Sequence, residues 1–309
     1  MSILEIKFTN DYDEAMRFCA LGFEPIECAF GQYGSVMGPL NMDHHGKESH
    51  REGVAIRACR DHYAAREKDP RFVVTGAPDA DAVLAIVALA GLVPANLITP
   101  TFYELVNRFD TDPIGIDLFE QEGGVKLAWF NQIQGMRQSE AGFRKGISAM
   151  VQLLEGGVSY ADQEQLQRAD ESRRRTAIDG VKTVLDVRGY PLPVPQAPLG
   201  LVKRGRELDE AAARIVITHS PVWGFDVWYR IAPIVVSYAD RLEKITIGVV
   251  DTETAQLLFG PQGLNAIWPE LGEGWGGRES VGGSPRGVRY CFEDVQSVTD
   301  AIVRYLSQR

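Results

Sequence analysis

The chain has 309 residues, of which 45% are hydrophobic and 24% charged, a composition that excludes extended disorder and is enough for two folded domains. Its formal charge of −10 provides no electrostatic footprint for long duplex nucleic acid. A compact anionic ligand stays compatible with that charge, because a bound metal can dominate the local field.

The opening segment, MSILEIKFTND, is too short and polar for a signal sequence, and the run AVLAIVALAGLV falls short of the ~20 apolar residues of a membrane span. Cys19, Cys28, Cys59 and Cys291 are scattered without a paired metal spacing, so they read as reduced, buried thiols of a soluble, cytoplasmic protein. Residues 51–66 are patterned as an amphipathic helix. Residues 71–92 read as strand, loop and helix: RFVVTG is β-branched and ends at Gly76, APDADA is the loop, and AVLAIVALAG is a buried helix stopped by Gly91. Units of this kind build parallel sheets and collect ligands at the carboxyl ends of their strands. A further helix is expected over 99–109, capped by Thr99 with Pro100 at its first position, and residues 141–185 read as largely helical. GYPLPVPQAPLG, with four prolines and no charge, reads as a linker over 189–200. Beyond it, 214–219, 233–238 and 244–250 are strand-like, and a last helix is expected over 293–307. The expected architecture is α/β: a mainly parallel sheet flanked by helices over 1–188, then a smaller α/β domain over 201–309.

The densest chemistry lies in NMDHHGKESH, where Asp43, His44, His45 and His50 fall within eight positions. Imidazole and carboxylate together suit Mn, Fe, Co or Zn, whereas an all-oxygen set suits Mg or Ca. On extended backbone, Asp43 and His45 point one way and His44 the other, so the adjacent histidines are expected to do different jobs. The second cluster is PDADA, with Asp79 and Asp81. One Asp there would serve as a helix N-cap, but two carboxylates exceed what a cap needs. The third is RFDTDPIGID, with Asp110, Asp112 and Asp117, where Asp112 before Pro113 also fits a turn or cap. GWGGRESVGGSPRG, residues 274–287, carries Gly276, Gly277, Gly282, Gly283, Arg278 and Arg286. It reads as a binding loop or as a chain of turns, and it lacks the ending of a Walker loop. His219 follows a strand and reads either as a cleft residue or as a buried histidine satisfied by backbone. No Gly-x-Ser-x-Gly elbow is present.

MDHHG resembles the Asp-His-His motif of the DHH phosphoesterases, and PDADA resembles that family's Asp-x-Asp-Ala motif. The glycine-rich segment is similar in position to the family's substrate-gripping loop. The family includes exonucleases, pyrophosphatases, exopolyphosphatases and oligoribonucleases. Three departures stand out: the order of the two motifs is reversed, Thr75 occupies the place of a metal-ligating His, and Arg278 occupies the place of the glycine loop's His. His50 is then the candidate replacement ligand, or else one of two metal sites is weak or absent. The resemblance implies two Mn²⁺ ions held by Asp43, His45, Asp79 and Asp81, with Asp110 or Asp112, and a bridging water as nucleophile. It implies that His44 acts with Asp43 in catalysis, stabilising phosphoryl charge or assisting the leaving group. Arg278 and Arg286 would hold the anionic end of a small phosphorylated molecule or short oligonucleotide. The competing readings are a metal-dependent hydrolase or lyase on a non-phosphate bond, and a non-catalytic nucleotide- or phosphate-binding protein. A homodimer is compatible with the sequence.

Overall fold

The computed structural model describes residues 4–308 apart from 49, 112–115, 134–136, 195–203, 209–212 and 286–287. The chain divides into two compact units, Met1–Arg168 and Ala169–Arg309.

The first unit begins with β1 (Glu5–Phe8), α1 (Tyr12–Ala20) and β2 (Glu24–Ile26), continues through α2 (Val54–Asp61) to β3 (Arg71–Val74), and enters α3 (Ala80–Leu89). The three strands form one parallel sheet in the order β1-β3-β2, with Ile6 paired to Phe72 and Ile26 to Val74. All their carboxyl ends therefore lie along one edge. Asp11 starts α1 by accepting from the Glu14 amide, and Asp79 starts α3 by accepting from Ala82. Every residue of α3 is buried, which explains its apolar character all round: α2, α4 (Pro100–Thr111), α5 (Gly124–Ile133) and α6 (Glu140–Gly156) pack around it. The sequence helix expected over 51–66 is shorter, because the chain turns at His62 and reaches a left-handed Ala64 (φ 55°).

The second unit takes up the end of α7 (Tyr160–Asp179) and then β4 (Val181–Asp186) and β5 (Pro191–Leu192). The expectation of helix over 141–185 fails at Gly180, where the β-branched Val181, Thr183 and Val184 open a strand instead. β6 (Arg214–His219), α8 (Phe225–Trp228), β7 (Ile234–Ala239), β8 (Lys244–Val249), α9 (Thr252–Phe259), α10 (Trp268–Leu271), β9 (Gly276–Gly277), β10 (Val281–Gly283) and α11 (Asp294–Ser307) complete it. The sheet runs β5-β4-β6-β7-β8-β10-β9, with β6 and β7 parallel and its other pairs antiparallel. Because β4 precedes the proline-rich segment yet pairs with β6, the boundary lies inside α7 and not at 189–200, whose residues 191–192 are themselves a strand. The fold is α/β, as the alternation of periods implied. Among the described residues no helix is long and apolar enough to cross a membrane.

Candidate metal centre

The carboxyl edge of the parallel sheet carries the site. β2 ends at Ile26, and the next residue, Glu27, is left-handed (φ 51°), a strained state for a side chain of that size. Its amide donates to the Met42 carbonyl (2.8 Å), which fastens the Glu27 turn to the Asp-His-His loop. Arg57, on α2, holds that loop from the other side by donating to the Asn41 and Asp43 carbonyls (2.7 and 2.9 Å). β3 leads through Thr75 and Gly76 (φ 71°) into Asp79 and Asp81, and Asp110 arrives in the last turn of α4.

These elements converge on one nitrogen. His44 is fully buried, and its Nε2 lies 2.8 Å from Glu27 Oε1, 3.4 Å from Asp110 Oδ2 and 3.5 Å from Asp81 Oδ2. His45, whose ring is 40% exposed, places Nδ1 2.9 Å from Asp43 Oδ1. Two overlapping groups, Glu27–His44–His45 and His44–Asp81–Asp110, each bring their ligand atoms within 4.8 Å of one another. Asp43 is fully buried, and its second oxygen, Oδ2, has no hydrogen-bond partner. A buried carboxylate oxygen left in that state costs free energy unless a cation or donor meets it.

The electrostatics agree with the geometry. Burial, then the charge of Asp81, pushes the Glu27 carboxyl well above its ordinary range. Burial, then the charges of Glu27 and Asp110, does the same to Asp79. Asp43 differs: burial pushes it upward, but hydrogen bonds from His45 and Ser35 outweigh that and leave it below the usual range. Asp81 is almost wholly buried and accepts from the amides of Val54 (2.7 Å) and Ala55 (3.0 Å), so the open N-terminus of α2 neutralises part of its charge. A Cβ at Gly53 would lie 2.8 Å from Asp81 Oδ1 and 3.0 Å from Asn107 Oδ1, so any larger residue there would displace these side chains.

The structure thus brings together His44, His45, Asp81 and Asp110, with Asp43 bonded to His45, from three separate stretches of sequence, whereas Asp79 caps α3 and belongs to neither group. His50 is exposed, bonds the Lys47 carbonyl (3.1 Å) and belongs to neither group. The Thr75 hydroxyl donates to Asn10 Oδ1 (3.0 Å). Asp117 caps a short 3-10 turn by accepting from Phe119 (3.0 Å). Asp112 and Arg286 lie outside the described residues. Glu27 is the residue of the candidate site that sequence reading missed. It belongs to no motif, and its one signal is an acidic residue directly after a short strand.

In the second unit the glycines have a packing role. Gly276 and Gly277 form β9, Gly282 and Gly283 lie in β10, and a Cβ on Gly282 would meet Trp268 and the Gly276 carbonyl at 2.5 Å. Arg278 occupies the turn between these strands, its amide donating to Val281 (2.7 Å). His219 pairs with Asp240 (2.6 Å) and stacks on Phe292 with ring centroids 4.6 Å apart.

Comparison with protein-family models, curated proteins and solved structures finds no match to this chain.

Proposed function

We propose that the chain is a divalent-metal-dependent phosphoesterase acting on a small phosphorylated molecule or short oligonucleotide. The observation that carries this reading is the closure of Glu27, Asp81 and Asp110 around His44 Nε2, beside the unpartnered Oδ2 of Asp43. Carboxylates packed this closely repel one another, and a cation is the group that reverses the sign of that interaction. The mixed nitrogen and oxygen donors suit Mn²⁺. Glu27, His44, Asp81 and Asp110 would hold one ion, and Asp43 and Asp79 would contribute to a second. When bound, the metal acidifies water and draws charge from phosphoryl oxygens.

The chain's own residues divide the remaining work. The geometry favours His44 as the enclosed, ion-facing ring and His45 as the ring that handles protons, the reverse of the division implied by the motif alone. Asp43 accepts from His45 Nδ1, which fixes the tautomer and leaves Nε2 of His45 free to exchange a proton with water or a leaving group. Asp81 holds the α2 terminus in place, and Arg57 holds the backbone of the Asp-His-His loop. Within the second unit, proposed as a separate substrate-binding domain, Arg278 is the candidate anion contact. Because Thr75 contributes no imidazole, one-ion hydrolysis of a non-phosphate bond is the second reading.

Elemental analysis after loading with Mn²⁺ tests the proposal, followed by turnover of short phosphodiesters. Two equivalents, lost in Asp43→Ala/His45→Ala, support the dinuclear reading. One equivalent moves the assignment to the second reading, and none removes the catalytic one.

A further inference from the structure

An aromatic loop adjoins the candidate metal centre, and the proposed phosphoesterase leaves it without a role. The loop runs from Cys28 to Val36 and is closed by the amide of Val36 donating to Cys28 (2.9 Å), by Phe30 donating to Gly34 (2.9 Å), and by a bridge between Ala29 and Ser35. Its base is buried through Cys28, Phe30 and Val36, so the tip is held firmly. Gly31 (φ 57°) and Gly34 (φ 75°) turn the chain sharply around Tyr33. Tyr33 stacks on Tyr12, with ring centroids 5.7 Å apart and an interplanar angle of 27°, and Phe30 meets Tyr12 edge-on at 5.9 Å.

Even in that stack Tyr33 is 66% exposed. A tyrosine held by a glycine-flanked turn, backed by a second ring and open on its outer side, keeps its shape at low entropic cost and presents a flat apolar surface. Its place is set at the foot of the loop. Glu27, the residue that leads into the loop, lies 2.8 Å from His44, and Ser35 is bridged to Ala29, two residues beyond Glu27. Only Gly34 separates Tyr33 from Ser35, a reach of at most ~7 Å along the backbone.

The geometry points to Tyr33, backed by Tyr12, as a stacking subsite for a planar ring carried by the substrate beside its phosphoryl group, such as the base of a nucleotide. Resting on the metal-centre reading above, this makes Tyr33 a specificity determinant: a base-bearing phosphate is preferred over the same sugar phosphate without a base. Stacking is tolerant of base identity because every base has a π face, so purines and pyrimidines both qualify, with the larger ring favoured.

The test is calorimetric titration of the Mn²⁺-loaded full chain with adenosine 5′-monophosphate and with ribose 5-phosphate. The wild type is expected to bind the nucleotide at least about tenfold more tightly. Tyr33→Ala should erase that difference while leaving ribose 5-phosphate binding unchanged, and Tyr33→Phe should keep it. Equal affinities in the wild type, absence of nucleotide binding, or a preference that survives Tyr33→Ala would each overturn the inference. Lack of turnover together with a retained, Tyr33-dependent nucleotide preference would remove the phosphoesterase and leave the stacking subsite standing.

Discussion

Replacing Glu27 with Gln keeps the side chain's size and removes one of the charges that surround His44 Nε2, so it separates a metal centre from a purely structural carboxylate cluster. Wild-type protein in Mn²⁺ at about 100 times its dissociation constant should gain about 2.7 kcal/mol of stability. For a unit of this size that is about 5–11 °C in Tm. Loss of one ligand that weakens binding about 10- to 100-fold would reduce the gain to roughly 0.4–1.4 kcal/mol, or about 1–6 °C. Without metal the effect reverses. Burial and Asp81 raise the Glu27 carboxyl, and burial and Glu27 raise Asp79, so the folded chain holds protons that the unfolded chain has already released. Metal-free stability is then greatest below the ordinary carboxylate pKa and falls as pH rises through the raised values. Glu27→Gln flattens this decline and makes the metal-free protein more stable than wild type at neutral pH. Differential scanning fluorimetry at several pH values, with Mn²⁺ and with chelator, reads both effects. Equal Mn²⁺ stabilisation of wild type and Glu27→Gln would refute the assignment of Glu27 as a ligand.

Three other outcomes follow from the same geometry. Gly53→Ala drives a methyl against Asp81 and Asn107, and should cost about 1–3 kcal/mol in urea titration while weakening Mn²⁺ binding; a change below about 0.5 kcal/mol would show that the site yields without cost. Arg57→Met removes the clamp on the Asn41 and Asp43 carbonyls but keeps an apolar stem, so Mn²⁺ affinity in a metal-binding titration should fall more than urea stability does. Cys59, pushed up to about 12 by burial and then by the charge of Asp81, should resist a thiol reagent at pH 8 that labels the exposed Cys291, as mass spectrometry of the labelled peptides would show.

Local pattern made much of the fold legible. The β3–loop–α3 unit followed from a β-branched run, an acidic loop and an apolar decamer, and β6, β7, β8 and α11 from short apolar runs and helical spacing. The boundary between units was not legible. Prolines marked 189–200 as a break, but pairing between β4 and β6 across that segment decides where the chain divides, and long-range pairing leaves no local signature. Glu27 was hidden for a related reason. Its importance comes from a left-handed turn and from His44, seventeen residues later, and neither is visible in the order of neighbouring residues.

The Asp-His-His and Asp-x-Asp segments meet at one edge of the first sheet. The Asp-His-His loop is fastened to the residue that leaves β2, the Asp-x-Asp loop leaves β3, and β2 and β3 are hydrogen-bonded parallel neighbours. Two loops that start from adjacent parallel strands emerge at the same edge whichever comes first in the chain. The order of motifs therefore constrains the connections and leaves the donor set free. What the site requires is that His44 be carried to the carboxylates, and three contacts do this: Glu27 N–H to Met42, Arg57 to Asp43, and Asp81 to the α2 terminus. Each ties one of the converging segments to another, so disruption of any one should disturb the arrangement of carboxylates around His44 before it unfolds the unit.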